Sequence, residues 1–166
     1  MKMLTLLAAT AMALAPAAAL ALAPPAKTYV MKAGASDMFE TESSKLVMDS
    51  ANPEVVSYAN MMIADHGKST SDVMAAASAD GLPPMTPVMM PKQKAMIDSL
   101  KRTSGKARDR LYVKDQIAGH KETLAFQKQY AMMGDKPRLK DTAGTIVPVV
   151  QNHLAEAQSM ASSMMK

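Results

Sequence analysis

The sequence predicts an all-α protein: an antiparallel four-helix bundle with a short extra helix in the long connection between its second and third long helices. Three observations lead to this prediction. No stretch of the 166 residues alternates apolar and polar side chains as a strand would. Proline and glycine divide the chain into four long segments. Within these segments apolar residues recur at spacings of three and four, as expected of helices that bury one face.

The first 23 residues have the order of a bacterial signal peptide. Lys2 supplies a positive charge, Leu4 to Ala15 form an apolar stretch, and small residues follow. Cleavage is expected near residues 19–23, with Ala19 and Ala21 as the best sites. The alternative is an uncleaved membrane anchor, because about 20 apolar residues can span a bilayer. The signal peptide predicts a periplasmic or secreted protein that has no membrane span after cleavage.

A bundle domain over residues 36–163 is expected after a linker at residues 24–35. The first long helix is predicted for residues 36–51, with Ser36 as its N-cap. Asn52 and Pro53 then start the second helix, because asparagine caps a helix and proline fits its first position. This helix is expected to end near Asp80, before Gly81, since glycine suits a left-handed helix end.

The second half of the chain is divided in the same way. Residues 82–91 contain four prolines and are expected to form a loop, followed by a short helix at residues 92–103. The third long helix is predicted for residues 106–133. The fourth starts at Pro137 and reaches nearly to the C-terminus. Pro148 lies inside it and should kink it, because proline removes a backbone hydrogen bond of the helix.

The composition of the chain limits which kinds of site and partner are expected. The chain contains no cysteine, so disulfides and thiolate ligands are excluded. Lys2 is the one basic residue of residues 1–23, so 18 of the 19 basic residues remain after cleavage, against 15 acidic ones. This weak positive balance does not indicate a nucleic-acid-binding protein. The partner is not defined by the sequence, and a homo-oligomer remains open.

Methionine is abundant, with 18 residues in the chain. Most of them are expected to fill gaps in the core. Met85, Met89 and Met90 lie in the proline-rich loop, where packing does not require methionine. Because thioethers favour Cu(I), the sequence predicts weak Cu(I) binding there. The alternative is a loop that simply folds over the end of the bundle.

The three histidines of the chain each lie on an apolar helix face. His66 shares a face with Val55 and Val73, His120 with Val113 and Leu124, and His153 with a longer row of residues of the fourth helix: Ile146, Val150, Ala157 and Met160. Such rows face the core of a helix bundle. All three imidazoles are therefore expected to point inward.

Their expected heights along the bundle also agree. At 1.5 Å per residue, Glu40 and His66 lie about 18 and 21 Å from the turn at Asn52. His120 and His153 lie about 21 and 28 Å from the turn at Gly134. If the two hairpins pack level, Glu40, His66, His120 and His153 meet near mid-bundle. Three nitrogens and one carboxylate suit Zn, Cu or Fe. The alternative is that each histidine separately hydrogen-bonds within the core.

Other polar residues near these positions have secondary roles in this hypothesis. Gln116 and Glu156 are possible additional ligands or acceptors that orient an imidazole. Asp65 points about 100° away from its neighbour His66 on the helix and is left out of the site. Asp109 lies about 16 Å from His120 along its helix and is expected to be structural.

Several motifs surround these positions: Asp37-Met-Phe-Glu40-Thr-Glu42, Asn52-Pro-Glu-Val55, Met61-Met-Ile-Ala-Asp65-His66, Asp109-Arg-Leu-Tyr112, His120 and Pro148-Val-Val-Gln-Asn-His153. Together they resemble the exported bacterial family known as domain of unknown function 4142, over about residues 27–162. The resemblance implies a ferritin-like four-helix fold. It draws attention to Glu40, His66, Asp109, Tyr112, His120 and His153, with Asp109 and Tyr112 as structural residues, but it implies no activity.

One departure from ferritin-like proteins bears on function. Di-iron sites of that fold use two Glu-x-x-His pairs, whereas this chain contains only the reverse order, His153-x-x-Glu156. Three functions are therefore weighed. The first is an exported metal-binding protein. The second is a metal-dependent enzyme of unknown reaction, ranked lower because no separate nucleophile or base is visible. The third is a metal-free structural or stress-related envelope protein whose ferritin-like site has decayed.

Overall fold

The computed structural model describes residues 24–165, and within this range the protein is helical with no strand. The predicted signal peptide lies outside the described residues. Among the helices described, none is long and apolar enough to cross a membrane. The five helices, in chain order, are α1 (Ala26–Lys45), α2 (Pro53–Ala79), α3 (Pro91–Lys101), α4 (Gly105–Met133) and α5 (Pro137–Ser163).

The first helix differs from its prediction at both ends. It begins at Ala26 rather than Ser36, so most of the predicted linker at residues 24–35 is helix, and it ends at Lys45 rather than near residue 51. The physical reason is burial, because Tyr29 and Val30 are fully enclosed by the other long helices. Ser36 does not cap a helix. Its hydroxyl lies 2.9 Å from the Thr123 hydroxyl of α4.

The other helices begin and end close to the predicted residues, and local chemistry explains why. The Asn52 side chain accepts a hydrogen bond of 3.0 Å from the Glu54 backbone N–H and caps α2. Gly81, just beyond α2, has a φ of 78°, which glycine adopts without the cost of a side chain. The last helix, α5, continues through Pro148.

Four long helices surround the core, and every pair of neighbours is antiparallel. Contacts join α1 to α2, α2 to α5, α5 to α4, and α4 to α1. The start of α1 and the end of α2 pack together with the end of α4 and the start of α5. Since α2 and α4 therefore run in the same direction, the chain must return along the bundle between them. The loop at residues 80–90 and helix α3 make this return.

The core consists of two apolar clusters separated by a polar layer. The upper cluster includes Tyr29, Val30, Val73, Ala77, Tyr130, Leu139 and Val150. The lower cluster includes Val47, Val55, Tyr58, Met62, Leu100, Tyr112, Ala157 and Met160. Between them along the four helices lie buried polar residues: Asp37, Glu40, Ser43, His66, Gln116, His120 and His153. The polar side chains of this layer need hydrogen-bond partners within the protein, because burying a polar group without a partner is costly in free energy.

The proline-rich loop packs on α1. A side-chain carbon at Gly34 would lie 2.3 Å from Pro87 Cγ, so the loop approaches as closely as only glycine allows.

The three methionines of this loop face different surroundings. Met85 packs against the upper cluster, Met89 lines a groove with Met38, and Met90 lines a separate cavity beside Lys92. The three side chains thus line different surfaces, and Cu(I) binding at this loop stays a prediction.

Candidate metal centre

The three histidines meet in the polar layer. The centroids of their rings are 5.6 Å apart for His66 and His120, and 5.4 Å apart for each of the other two pairs. Their exposed fractions are 4%, 1% and 2% for His66, His120 and His153. Each ring offers one nitrogen, and these three nitrogens lie within 4.8 Å of one another. The bundle thus brings together three residues that are separated widely in sequence.

One nitrogen of each ring is held from outside the cluster. His66 Nδ1 lies 2.8 Å from Asp37 Oδ1, and Asp37 Oδ2 in turn accepts a hydrogen bond of 3.0 Å from the Thr70 hydroxyl. His153 Nε2 lies 2.9 Å from Asp65 Oδ2. These carboxylates accept hydrogen bonds and cannot donate them when ionised. They therefore require a hydrogen on the facing imidazole nitrogen.

His120 is held by a backbone carbonyl of its own helix. Its Nδ1 donates to the Gln116 carbonyl oxygen at 2.9 Å. A carbonyl can only accept, so this nitrogen also carries a hydrogen. In a neutral imidazole the other nitrogen then carries a lone pair. The lone pairs of the three neutral rings are consequently on His66 Nε2, His120 Nε2 and His153 Nδ1.

Two of these lone-pair nitrogens face each other. His120 Nε2 lies 3.4 Å from His153 Nδ1. The contact is not a hydrogen bond when both rings are neutral, because neither nitrogen has a hydrogen to donate. Two nitrogens bound to one tetrahedral ion at about 2.0–2.1 Å would lie about 3.3 Å apart. His66 Nε2 is buried and has no hydrogen-bond partner among the described residues. The donor set and the spacing of the His120–His153 pair fit a metal ion.

Burial and neighbouring charges give the three imidazoles different proton affinities. Burial, together with the nearby His66, lowers the pKa of His120 to about 3. The pKa of His153 is also lowered, chiefly by burial, although Asp65 opposes this. Burial acts in the same direction on His66, but the Asp37 hydrogen bond and the charges of Glu40, Asp37 and Asp65 outweigh it and raise its pKa. Of the three imidazoles, His66 is therefore the one that takes up a proton most readily.

Glu40 is buried beside the histidines but is not in the group of three nitrogens. Its Oε1 lies 3.8 Å from His120 Nδ1, which is too far for a hydrogen bond. Burial raises the pKa of Glu40 to about 7, with His66 opposing the shift. Its Oε2 has no hydrogen-bond partner among the described residues. A side-chain carbon at Gly119 would lie 3.0 Å from Oε1, so Gly119 provides the space that Glu40 occupies.

The two possible additional ligands lie outside the cluster. Gln116 is fully buried and supports the polar layer: its amide donates to Ser43 Oγ at 3.2 Å, and its backbone carbonyl holds His120. Glu156 is exposed and lines a surface groove with Glu54 and Tyr58, away from the three nitrogens.

The residues expected to be structural lie at the lower end of the bundle. Asp109 Oδ2 accepts a hydrogen bond of 2.7 Å from Ser50 Oγ, which itself accepts from the Asn52 backbone N–H at 3.0 Å. The Tyr112 and Ser44 hydroxyls lie 2.7 Å apart. These contacts join α4 to the last turn of α1 and to the connection between α1 and α2.

Sequence reasoning missed two residues of the site. Asp65 was excluded because it points away from His66 on α2, yet it contacts His153 on α5. Asp37 occurred only within a family motif, although it lies one helical turn before Glu40 and on the same side of α1. A carboxylate one turn from a predicted ligand was the available signal for Asp37. No local signal could have paired Asp65 with His153, because the pairing depends on how two helices pack.

Comparison with known proteins identifies the family and the fold. A crystal structure of a DUF305 fragment from Deinococcus radiodurans is similar, with a TM-score of 0.72 and 14% identity, over 86% of this chain and 99% of that one. At this identity the likeness shows the fold alone. Comparison with curated proteins returned no match. The model of the domain of unknown function DUF4142 matches residues 11–160, and the chain belongs to this family.

Proposed function

We propose that this protein is an exported helical-bundle protein that binds one transition-metal ion through His66, His120 and His153. One observation carries the proposal: each imidazole is held from outside by an acceptor, so that its remaining lone pair points into a shared buried space. Carboxylates and carbonyls that hold the outer nitrogen are the usual supports of histidine ligands. Three histidines that served only the core would not need their lone pairs turned toward each other.

The donor set favours Zn²⁺ and Cu²⁺ over iron. Imidazole nitrogens suit both ions. Non-haem iron sites commonly combine two histidines with a carboxylate ligand, whereas Glu40 lies outside the group of three nitrogens. Di-iron chemistry is further disfavoured by the absence of a Glu-x-x-His pair in the sequence. The antiparallel neighbours and the long return between α2 and α4 support a ferritin-like topology that carries a single-ion site.

Metal analysis tests this function directly. The protein purified without chelators should contain about one Zn²⁺ or Cu²⁺ per chain, and metal-free protein should regain one equivalent on titration. The His66→Ala, His120→Ala and His153→Ala variants should each lose this equivalent. A wild type that binds no first-row ion would favour the metal-free structural or stress-related envelope protein.

Export is the second part of the proposal, and residues 1–23 support it through their order of charged, apolar and small residues. N-terminal sequencing of the periplasmic protein should begin between Leu20 and Lys27. An intact Met1 in a membrane fraction would instead identify an anchored protein.

A metal-dependent enzyme is the second candidate, and Glu40 is the observation that favours it. Three protein ligands leave the fourth position of a tetrahedral ion free for water or substrate. A buried carboxyl with a pKa of about 7 and an unpartnered oxygen lies beside His120, and such a group suits proton transfer near neutral pH. Turnover of a hydrolytic or redox substrate that disappears in Glu40→Gln, with metal content unchanged, would support the enzyme over a binding protein.

A further inference from the structure

A cavity between α2 and α5 leads from the surface to two of the three histidines. Its volume is about 190 Å³, and His66 and His153 lie among its walls. Asp37, Asp65 and Asp72 line it as well, together with Lys68. The cavity therefore connects solvent with two of the three proposed ligands.

One residue that lines this cavity, His66, has an unpartnered buried nitrogen, which is an observation independent of the acidic residues. His66 Nε2 is buried without a hydrogen-bond partner among the described residues, and His66 is one of the lining residues. Its Nδ1 is already bound by Asp37. In the neutral ring the lone pair of Nε2 is therefore available to a cation that reaches it from this cavity.

The charge at the cavity suits a cation. Three carboxylates lie against one ammonium group, and that ammonium, Lys68, is paired with Asp72 at the surface. Asp65 is accessible to solvent and also contacts a proposed ligand. Its side chain is 41% exposed, and its Oδ2 contacts the buried His153. A carboxylate in this position can meet a hydrated ion before the ion reaches the imidazoles.

A second cavity, of about 120 Å³, offers a contrast. It lies between α1, α3 and α4 and is lined by Lys32, Lys92, Glu40 and Glu122, so that its charges balance. None of the three histidines lines it. It is less suited to attract a cation or to deliver one to the imidazoles.

We infer that the cavity between α2 and α5 is an outer cation-binding site, where Asp65 and Asp72 receive a hydrated divalent metal ion and pass it to His66 and His153. This inference rests on the proposed metal-binding function. Transfer exchanges water and carboxylate oxygens for imidazole nitrogens around the ion, with no change in the charge of the ion. Where His66 is protonated, its Nε2 proton is released to water as this nitrogen binds. The outer site governs how fast the ion enters and leaves, whereas the three imidazoles set how tightly it is held.

Charge substitutions at the two cavities test the route. Metal-free whole protein is mixed with Co²⁺ at low ionic strength, and the association rate constant is measured from the visible absorption of the bound ion. Lys68→Glu should raise this constant about five- to tenfold, because it adds two negative charges near the path of a divalent ion. Lys92→Glu is the matched control. Lys68 and Lys92 are 74% and 75% exposed, and each is paired with one carboxylate.

The control should change the rate less than twofold, and about 0.5 M salt should abolish the effect of Lys68→Glu through screening. Equal effects of the two substitutions would show a response to net charge alone and would overturn the inference. An unchanged rate in Lys68→Glu would overturn it as well.

Steric substitutions provide a second test that does not depend on charge. Val149 lines the cavity between α2 and α5 and is 39% exposed, while Met90 lines the other cavity and is 47% exposed. Val149→Phe should slow Co²⁺ association and EDTA-induced release by the same factor, at least threefold, and leave the Zn²⁺ affinity unchanged. Met90→Phe should leave both rates unchanged. A slower rate in Met90→Phe alone would assign entry to the other cavity.

The equilibrium measurement separates this inference from the proposed function. If wild type binds Zn²⁺ in a histidine-dependent manner but no substitution at Lys68 or Val149 alters the rates, the outer site is wrong and the metal centre stands. If wild type binds neither Zn²⁺ nor Co²⁺, both are wrong.

Discussion

His120 and His153 face each other across α4 and α5 with two lone-pair nitrogens, Nε2 and Nδ1, 3.4 Å apart. The outer nitrogen of His120 is bound by the Gln116 carbonyl and that of His153 by the Asp65 carboxylate. Rotating either ring to make a hydrogen bond between them would break one of these outer contacts. An ion bound by both nitrogens removes the conflict, and His66 supplies the third nitrogen.

Loss of any one histidine should remove most of the metal-induced stabilisation. Metal bound to the folded state alone raises the free energy of unfolding, by about 2.7 kcal/mol when its free concentration is 100 times the dissociation constant. Because the three ligands act on one ion, the effects of His66→Ala and His153→Ala on this increment should not add. Thermal unfolding of the single and double variants, in EDTA and in Zn²⁺, measures this metal-induced increment. Additive losses that are the same in both conditions would indicate three independent core histidines.

Asp37→Ala should weaken Zn²⁺ binding about 10- to 100-fold, although Asp37 is not a proposed ligand. The substitution leaves His66 Nδ1 without the carboxylate that fixes its orientation, and such supports typically contribute by this factor. Competition with a chromophoric chelator measures the affinity. Glu156→Ala is the control, because Glu156 is exposed and lies away from the imidazoles. Equal weakening in both variants would argue against an orienting role for Asp37.

Zn²⁺ binding should weaken as the pH falls, and the dependence should correspond to about one proton. The pKa values of His120 and His153 are lowered by burial, so both imidazoles resist protonation as the pH falls. Although burial opposes it, the pKa of His66 is raised by Asp37 and Glu40, so His66 carries the competing proton. The logarithm of the association constant should therefore change by about one per pH unit below the His66 pKa. A slope near three would mean that all three imidazoles are protonated in the metal-free protein.

Glu40→Gln should stabilise the metal-free protein relative to wild type at pH 7 and above. Burial raises the pKa of Glu40 from 4.5 to about 7, so the folded protein keeps a proton that the unfolded chain loses. The contribution of Glu40 to the free energy of unfolding of the wild type is fully present below pH 4.5. It falls by about 3 kcal/mol as the pH rises to 7. Urea unfolding in EDTA at pH 4.5 and 7.5 measures the difference. Glu42→Gln, a half-exposed neighbour on α1, should follow the wild-type profile, and an identical profile for Glu40→Gln would contradict the prediction.

Asp109→Ala should destabilise the fold by about 1–3 kcal/mol without a change in Zn²⁺ affinity. The substitution removes the acceptor of Ser50, which holds the turn before α2 through the Asn52 N–H, and a lost buried hydrogen bond costs about this much. Asp49→Ala is the matched control. It breaks an ion pair with Arg108, but Asp49 is 74% exposed, so less than about 1 kcal/mol is expected. A loss of metal affinity in Asp109→Ala would assign Asp109 to the site.

The sequence by itself determined the helices whose ends carry local signals. Asn52, Pro53, Gly81 and Pro137 act on their own neighbours through backbone geometry and capping, so both ends of α2 and the start of α5 could be predicted closely. The apolar faces likewise predicted that all three histidines point inward, because the helical period alone decides which residues share a face. The start of α1 was predicted poorly, because burial of Tyr29 and Val30 against three other helices extends it beyond any local signal.

Only the tertiary structure decided which nitrogen of each histidine faces the others and which carboxylates hold them. The Asp65–His153 and Asp37–His66 contacts join different helices, so they depend on how each helix is rotated and at what height it packs. The same factors leave Glu40 beside the three nitrogens rather than among them. A shift of one residue rotates a side chain by about 100° and raises it by only 1.5 Å. The heights estimated from sequence could therefore predict that these residues lie in one layer of the bundle, but not how their side chains are oriented within it.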